Sequence, residues 1–233
     1  MKTIGLIGGM SWESSAEYYR LINQQIRVKL GGLHSARIIM ISLDFAEIEK
    51  LQREGKWQEA GNILINAAQK IEKGGADFLL LCTNTMHKLA DEVQAKITIP
   101  LLHIADVTAQ AIQQQKIRHV GLLGTKFTME QDFYRKRLID RFGIKVTIPD
   151  QDDRQVIHDI IYQELCLGQI QSKSRQQYKN IINKLIANGA AAIILGCTEI
   201  MLLIKPSDVS VPLFNTTEIH VKSAVEQAIS CMS

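Results

Sequence analysis

Short runs of Ile, Leu and Val alternate along the chain with longer stretches in which apolar residues return every three or four positions. The first run, "TIGLIG" at 3–8, predicts a strand, and Tyr18, Leu21, Ile22 and Ile26 then follow at the spacing of a helix over 14–30. "ARIIMISL" at 36–43 predicts a second strand. A helix over 57–74 closes at Gly74 and Gly75, residues that stop helices. "ADFLLLC" at 76–82 predicts a third strand, a helix covers 85–96, and "IPLLHI" at 99–104 predicts a short strand. Near-continuous apolar strands bracketed by helices belong to parallel sheets covered on both faces.

The pattern then restarts. "HVGLLGT" at 119–125 echoes "TIGLIGG", "NGAAAIILGCTE" echoes "KGGADFLLLCTN", and "VPLFNTTE" at 211–218 echoes "IPLLHIAD" at 99–106. Gly5 and Gly121 stand 116 positions apart, Cys82 and Cys197 115, and Pro100 and Pro212 112. Three landmarks at nearly one offset, in one order, point to a duplicated α/β unit. The expected fold is α/β, with two pseudo-symmetric α/β/α domains, mostly parallel sheets and an active site in the cleft between them. The first domain is expected over 1–105 plus 218–233 and the second over 106–217. The tail is expected to be a helix that crosses back to pack on the first half.

Composition narrows the function. Apolar residues make up 46% of the 233 and charged residues 22%, as in ordinary globular proteins. No apolar run approaches the roughly 18 residues needed to cross a membrane. The opening "MKTIGLIGGMSWES" is too brief for a signal-peptide core, so a cytoplasmic protein is expected. The net charge of +3 is scattered, with no basic block, which argues against nucleic acid as a partner. None of the four cysteines forms a CxxC pair or stands at metal-ligand spacing from a histidine, so neither a disulfide framework nor a metal is expected. "GLIGGMSW" lacks both GxGxxG and GK[ST], so no nucleotide cofactor is expected. Its glycines allow close backbone approach, leaving Met10 and Ser11 at the rim of a cleft.

Cys82 and Cys197 each close an apolar strand. In open parallel sheets, ligands bind beyond the carboxyl ends of the strands. A single cysteine there is most often inert core, but two at corresponding places suggest one thiol reaching a shared cleft from each side. Inversion of a stereocentre calls for that pair: one base removes a proton from carbon and the opposite acid returns one. A catalyst pKa near the working pH suits the task, and a thiol can be brought down at a helix N-terminus. "TNT" and "TE" after the two cysteines read as helix entries with capping side chains. Backbone N–H groups and hydroxyls there suit the charge that builds on a substrate carboxylate. Thr83, Asn84 and Thr85 are thus expected to bind one part of a substrate. Thr198 and Glu199 are expected to bind another, with Glu199 facing an ammonium group. Thr125 and Thr128 lie at the end of the strand that matches the first and are expected to touch substrate. His87, His103 and His220 are expected to be structural or to support the residues that touch substrate, and Cys166 and Cys231 to be non-catalytic.

With "IGLIGGMSWES", "LCTNTMHK", "LLGTKFTMEQDFY" and "LGCTEI" taken together, the chain resembles the aspartate/glutamate racemase family over essentially its full length, closest to a bacterial broad-specificity amino-acid racemase branch. The resemblance implies an isomerase with two catalytic cysteines, Cys82 and Cys197, a free amino acid as substrate, no pyridoxal phosphate or metal, and a homodimer. It carries substrate contacts onto Thr83, Asn84, Thr85, Thr198, Glu199 and Met10. Members strict for aspartate carry an arginine and a lysine that grip the side-chain carboxylate. Here "EIEKLQREGKW" places Gln52 at the arginine's position, with Arg53 adjacent, and "QELCLGQ" places Cys166 at the lysine's. A neutral pair suits longer or uncharged side chains. The expectation is a broad-specificity racemase or epimerase. Alternatives are a strict aspartate or glutamate racemase, a maleate-type isomerase of the same superfamily, and a non-catalytic amino-acid-binding module.

Overall fold

A computed structural model describes residues 1–230; Cys231 lies outside the described residues. The chain divides into two compact units, one of residues Met1–His103 with the described residues from His220 onward, the other Ile104–Ile219. The first unit runs β1 (Ile4–Gly8), α1 (Trp12–Leu30), β2 (Ile38–Ser42), α2 (Phe45–Arg53), α3 (Trp57–Lys73) and β3 (Phe78–Leu81). A 3-10 turn at Thr85–Leu89 and a short helix α4 (Ala90–Gln94) follow. The second unit holds α5 (Ile104–Gln114), β4 (His119–Gly124), α6 (Lys126–Glu130), α7 (Asp132–Phe142), β5 (Lys145–Thr147), α8 (Gln151–Gln163), α9 (Ser172–Ala187), β6 (Ile193–Gly196), α10 (Ile200–Leu203) and β7 (Leu213–Asn215). The last helix, α11 (Thr216–Ile229), returns the chain to the first unit.

Both sheets are parallel and share one strand order. It is β2-β1-β3 in the first unit and β5-β4-β6-β7 in the second. The counterpart of β7 in the first unit is one bridge, Leu79 to Leu101. The strand expected at 99–104 shrinks to that bridge because Pro100 has no N–H to give a ladder and α5 already begins at Ile104.

Alternation along each strand feeds two apolar layers. In the first unit Ile7, Leu79 and Leu81 pack with Ile48, Leu64 and Ile71 from α2 and α3. Ile4, Leu6, Phe78, Leu80 and Cys82 pack with Tyr18, Ile22 and Ile26 of α1 and with Val221, Ala224 and Val225 of α11. The returning tail is therefore core to the first unit. In the second unit Leu123, Ile193 and Leu195 face α8 and α9, while Val120, Leu122 and Ile194 face α5 and α7. Each Ile or Leu buried this way contributes about 1.5–3 kcal/mol.

Local signals set the helix ends. Ser11 caps α1 by accepting from the Ser14 N–H at 3.2 Å, and Asp150 caps α8 through the Asp153 N–H at 2.9 Å. Gly143 ends α7 in the left-handed conformation at φ 64°. The helix expected at 85–96 is the 3-10 turn followed by the five residues of α4. The helix α2 and the edge strand β5 are additions to the elements that the apolar pattern predicts.

Candidate active site

In the first unit β1 pairs with β3 so that Ile7 stands opposite Leu81, which puts Gly8 and Cys82 side by side at the carboxyl ends of their strands. The turn that follows is tied down at successive groups. The Cys82 N–H donates to Ile7 O at 2.9 Å, and Ser14 Oγ donates to Cys82 O at 2.9 Å. The Thr83 carbonyl accepts from His87 Nδ1 at 2.7 Å, and the Asn84 carbonyl from the His87 N–H at 3.1 Å. Ser15 Oγ accepts from the Gly9 N–H at 2.7 Å and donates to Ser11 O at 2.9 Å, which fixes the glycine-rich turn. That turn demands glycine. Gly9 has φ +87°, and a Cβ there would meet Leu43 O at 2.0 Å.

Thr83, Asn84 and Thr85 are buried around this turn. Gln52 is buried as well, its Nε2 donating to Met86 Sδ at 2.9 Å, so α2 reaches the same loop. Met10 departs from expectation. It is 5% exposed and packs in the apolar layer with Leu51 and Met86 rather than standing at a rim. The Cys82 side chain is fully buried against Tyr18 and Val221, and burial drives its thiol pKa far above the ordinary range.

In the second unit Gly124 pairs with Gly196, and Thr125 and Cys197 follow them. Thr125 caps α6, accepting from the Thr128 N–H at 3.3 Å, and the two hydroxyls stand 3.2 Å apart. Thr128 presses on both glycines: a Cβ at Gly124 would meet its Cβ at 3.2 Å, and one at Gly196 its Cγ2 at 3.3 Å. Thr198 accepts from Thr217 Oγ1 at 3.2 Å.

Cys197 is half-buried, and its thiol donates to Glu199 Oε2 at 2.9 Å. The other carboxylate oxygen, Oε1, lies 3.9 Å from Cys166 Sγ. Glu199, expected to meet a substrate ammonium, is turned to these two thiols. Burial, and then the Glu199 charge, hold the Cys197 thiol above its ordinary range. The expected lowering of the thiols by helix termini is not what the structure shows. The 3-10 turn after Cys82 and α10 after Cys197 are five and four residues long, and neither Asn84 nor Glu199 makes a side-chain cap bond. Such short helices carry little macrodipole, and burial dominates.

The register refines the duplication. Ile7 and Leu123 correspond across the 116-residue offset, and they stand opposite Leu81 and Leu195. Cys82 therefore corresponds to Gly196, and Cys197 lies one residue further along. The two thiols accordingly leave their sheets on different layers. Cys82 lies in the layer of α1 and α11, whereas Cys197 packs against the layer of α8 and α9. Strand register, and not the 115-residue spacing, reveals this difference.

Three buried histidines stand behind the first turn: His87, His103 and His220. His220 Nε2 meets Leu102 O at 2.8 Å and Nδ1 meets Tyr18 Oη at 2.9 Å. The nitrogen facing a carbonyl must carry the proton, so neutral His220 donates to Leu102 and accepts from Tyr18. Burial lowers its pKa to about 4. A concavity of about 580 Å³ lined by Lys116, Arg118 and Phe142 sits at the amino-terminal end of β4, the end opposite Thr125. No group of His, Cys, Asp and Glu among the described residues could hold a metal ion. No helix among them is long and apolar enough to cross a membrane.

Each copy of the repeated parallel α/β unit carries a cysteine just beyond a strand end. The family model for Asp/Glu/Hydantoin racemase matches residues 7–224, and the chain belongs to that family. A crystal structure from Yersinia pestis, provisionally described as an Asp/Glu racemase, is 55% identical, covers 98% of this chain and 100% of its own, and superposes with a TM-score of 0.93. An aspartate racemase homologue from Pyrococcus horikoshii is 36% identical over 98% of this chain and 99% of its own, with a TM-score of 0.85. The broad-specificity amino-acid racemase RacX of Bacillus subtilis is 25% identical over 182 residues, 75% of each chain.

Proposed function

We propose that the protein racemises free amino acids with two thiol bases and no cofactor. One thiolate takes the α-proton, the electron pair is held in the planar carbanion and its carboxylate, and the opposite thiol delivers its proton to the other face. The first sulfur ends as a thiol and the second as a thiolate, so the two exchange roles in the reverse reaction. Cys82 and Cys197 fill these roles. The observation that carries the reading is the 2.9 Å contact between Cys197 Sγ and Glu199 Oε2. A buried thiol is a poor base by itself. With Glu199 beside it, the carboxylate takes the Cys197 thiol proton and leaves the thiolate that takes the α-proton, and Glu199 returns that proton when Cys197 acts as the acid. The pair then keeps one negative charge before the step and loses it to the carbanion, without a doubly charged intermediate.

Thr83, Asn84, Thr85, Thr125, Thr128 and Thr198 are proposed to hold the substrate's polar groups. Met10 is proposed to serve from beneath them, as an apolar floor. The buried Cys82 thiol is uncovered as substrate enters. Gln52 and Cys166 offer no cation for a side-chain carboxylate, which supports uncharged or longer substrates and the breadth named for the Bacillus subtilis relative. The test is racemisation of single L- and D-amino acids by dialysed protein. Activity is expected across several side chains. Cys82→Ser and Cys197→Ser should each stop net racemisation while α-proton exchange survives in one enantiomer. Unaltered racemisation in either variant would sink the proposal.

A further inference from the structure

Resting on the two-thiol reading, we propose that His87 is a positioning residue for Cys82, acting through the Thr83 carbonyl. Its Nδ1 lies 2.7 Å from Thr83 O, a contact across four residues inside the protein. A ring nitrogen facing a carbonyl carries the proton, which fixes His87 as the Nδ1–H tautomer. The ring is held edge-on by His103, with centroids 4.7 Å apart, and by His220 at 5.8 Å. His220 is in turn anchored to Leu102 and Tyr18. The donor is thus set by a packed aromatic group rather than by a flexible side chain.

The consequence is geometric. Carbonyls 82, 83 and 84 are each committed to a donor: Ser14 Oγ, His87 Nδ1 and the His87 N–H. Each carbonyl carries a partial negative charge. Turned toward the reacting centre, it would oppose the charge that develops on substrate and sulfur. His87 holds the middle one away by fixing the Thr83–Asn84 peptide, the next along the chain from the Cys82–Thr83 peptide that Ser14 Oγ holds, and so keeps the turn leaving Cys82 in one conformation. The effect is confined to the Cys82 arm, since every one of these contacts lies in the first unit.

The experiment follows α-proton exchange in deuterated water from each enantiomer separately. The Cys82 arm is defined as the exchange that Cys82→Ser abolishes. In a Cys197→Ser background, where only Cys82 exchanges, His87→Leu should slow that exchange by about tenfold or more, and in a Cys82→Ser background it should leave the remaining exchange within about threefold. An asparagine amide nitrogen superposes on histidine Nδ1, whereas that of glutamine falls at Nε2. His87→Asn should therefore restore the Cys82 arm and His87→Gln should not. If His87→Leu does not fold, by circular dichroism, the Asn and Gln pair decides. Equal loss from both arms, no loss from either, or equal rescue by Gln and Asn would overturn the proposal. If instead a cysteine variant leaves both exchanges intact, it is the two-thiol reading that fails.

Discussion

Glu199→Gln separates two properties that the native pair combines. The carboxylate stands 2.9 Å from Cys197 Sγ and is buried at 5% exposure. At an effective dielectric constant of about 20, two unit charges about 4 Å apart repel by roughly 4 kcal/mol. Beyond the effect of burial, Glu199 raises the Cys197 thiol pKa both by its charge and by accepting the thiol proton, so the substitution removes both effects. Removing a negative neighbour lowers the pKa of a thiol, so the sign is downward. In the proposed mechanism the same change also removes the group that takes the sulfur's proton. The variant must then wait for a preformed thiolate. Racemisation at pH 7 should fall about a hundredfold, within the range of a lost general base, and should recover about tenfold per pH unit until the new thiol pKa is reached. Native enzyme should change much less over that span. The assays are initial rates from pH 6.5 to 9.5 and, in parallel, peptide-resolved alkylation of Cys197 by iodoacetamide. A loss of activity equal at every pH, or an alkylation profile that does not move to lower pH, would refute the reasoning.

In the free protein, Cys197 should alkylate faster than Cys82, because Cys197 is half-buried and Cys82 fully buried; mass spectrometry of partially labelled protein reads this directly. His220 couples folding to acid. Its pKa falls from 6.5 unfolded to about 4 folded, so the unfolded chain binds the proton first and stability drops as pH falls from about 6.5 to about 4. The loss should approach about 3 kcal/mol, measured as urea unfolding across that window, and His220→Gln should flatten this part of the profile. Gly9→Ala forces a Cβ to 2.0 Å from Leu43 O at φ +87°; it should destabilise the protein by several kcal/mol or prevent folding, as thermal unfolding would show.

The parallel α/β architecture was legible in the sequence because strands buried on both faces spell unbroken apolar runs, and β1, β3, β4 and β6 do so. The edge strand β5 was not, since Lys145-Val146-Thr147 is three residues with one apolar member. The 99–104 segment misled because its apolar run hides a proline and a helix start. Cys82 and Cys197 stood out as thiols at strand ends. That they leave their sheets on different layers turns on a one-residue difference in register, which composition and spacing do not carry. The contact of Glu199 with Cys197 was not legible, because whether a side chain two positions after a cysteine turns back to it depends on the turn. The grouping of the histidines at 87, 103 and 220 was not legible either, because it is complete only when α11 returns to the first unit.

Deuterium content at early times tests the central claim most directly. An L-amino acid is racemised in deuterated water to a few per cent conversion, and product and remaining substrate are separated and weighed by mass spectrometry. Two single-proton bases on opposite faces predict product labelled at the α-carbon and substrate still carrying hydrogen. Product retaining the substrate's own hydrogen, or label entering substrate and product alike, would show one base serving both faces and would contradict the account.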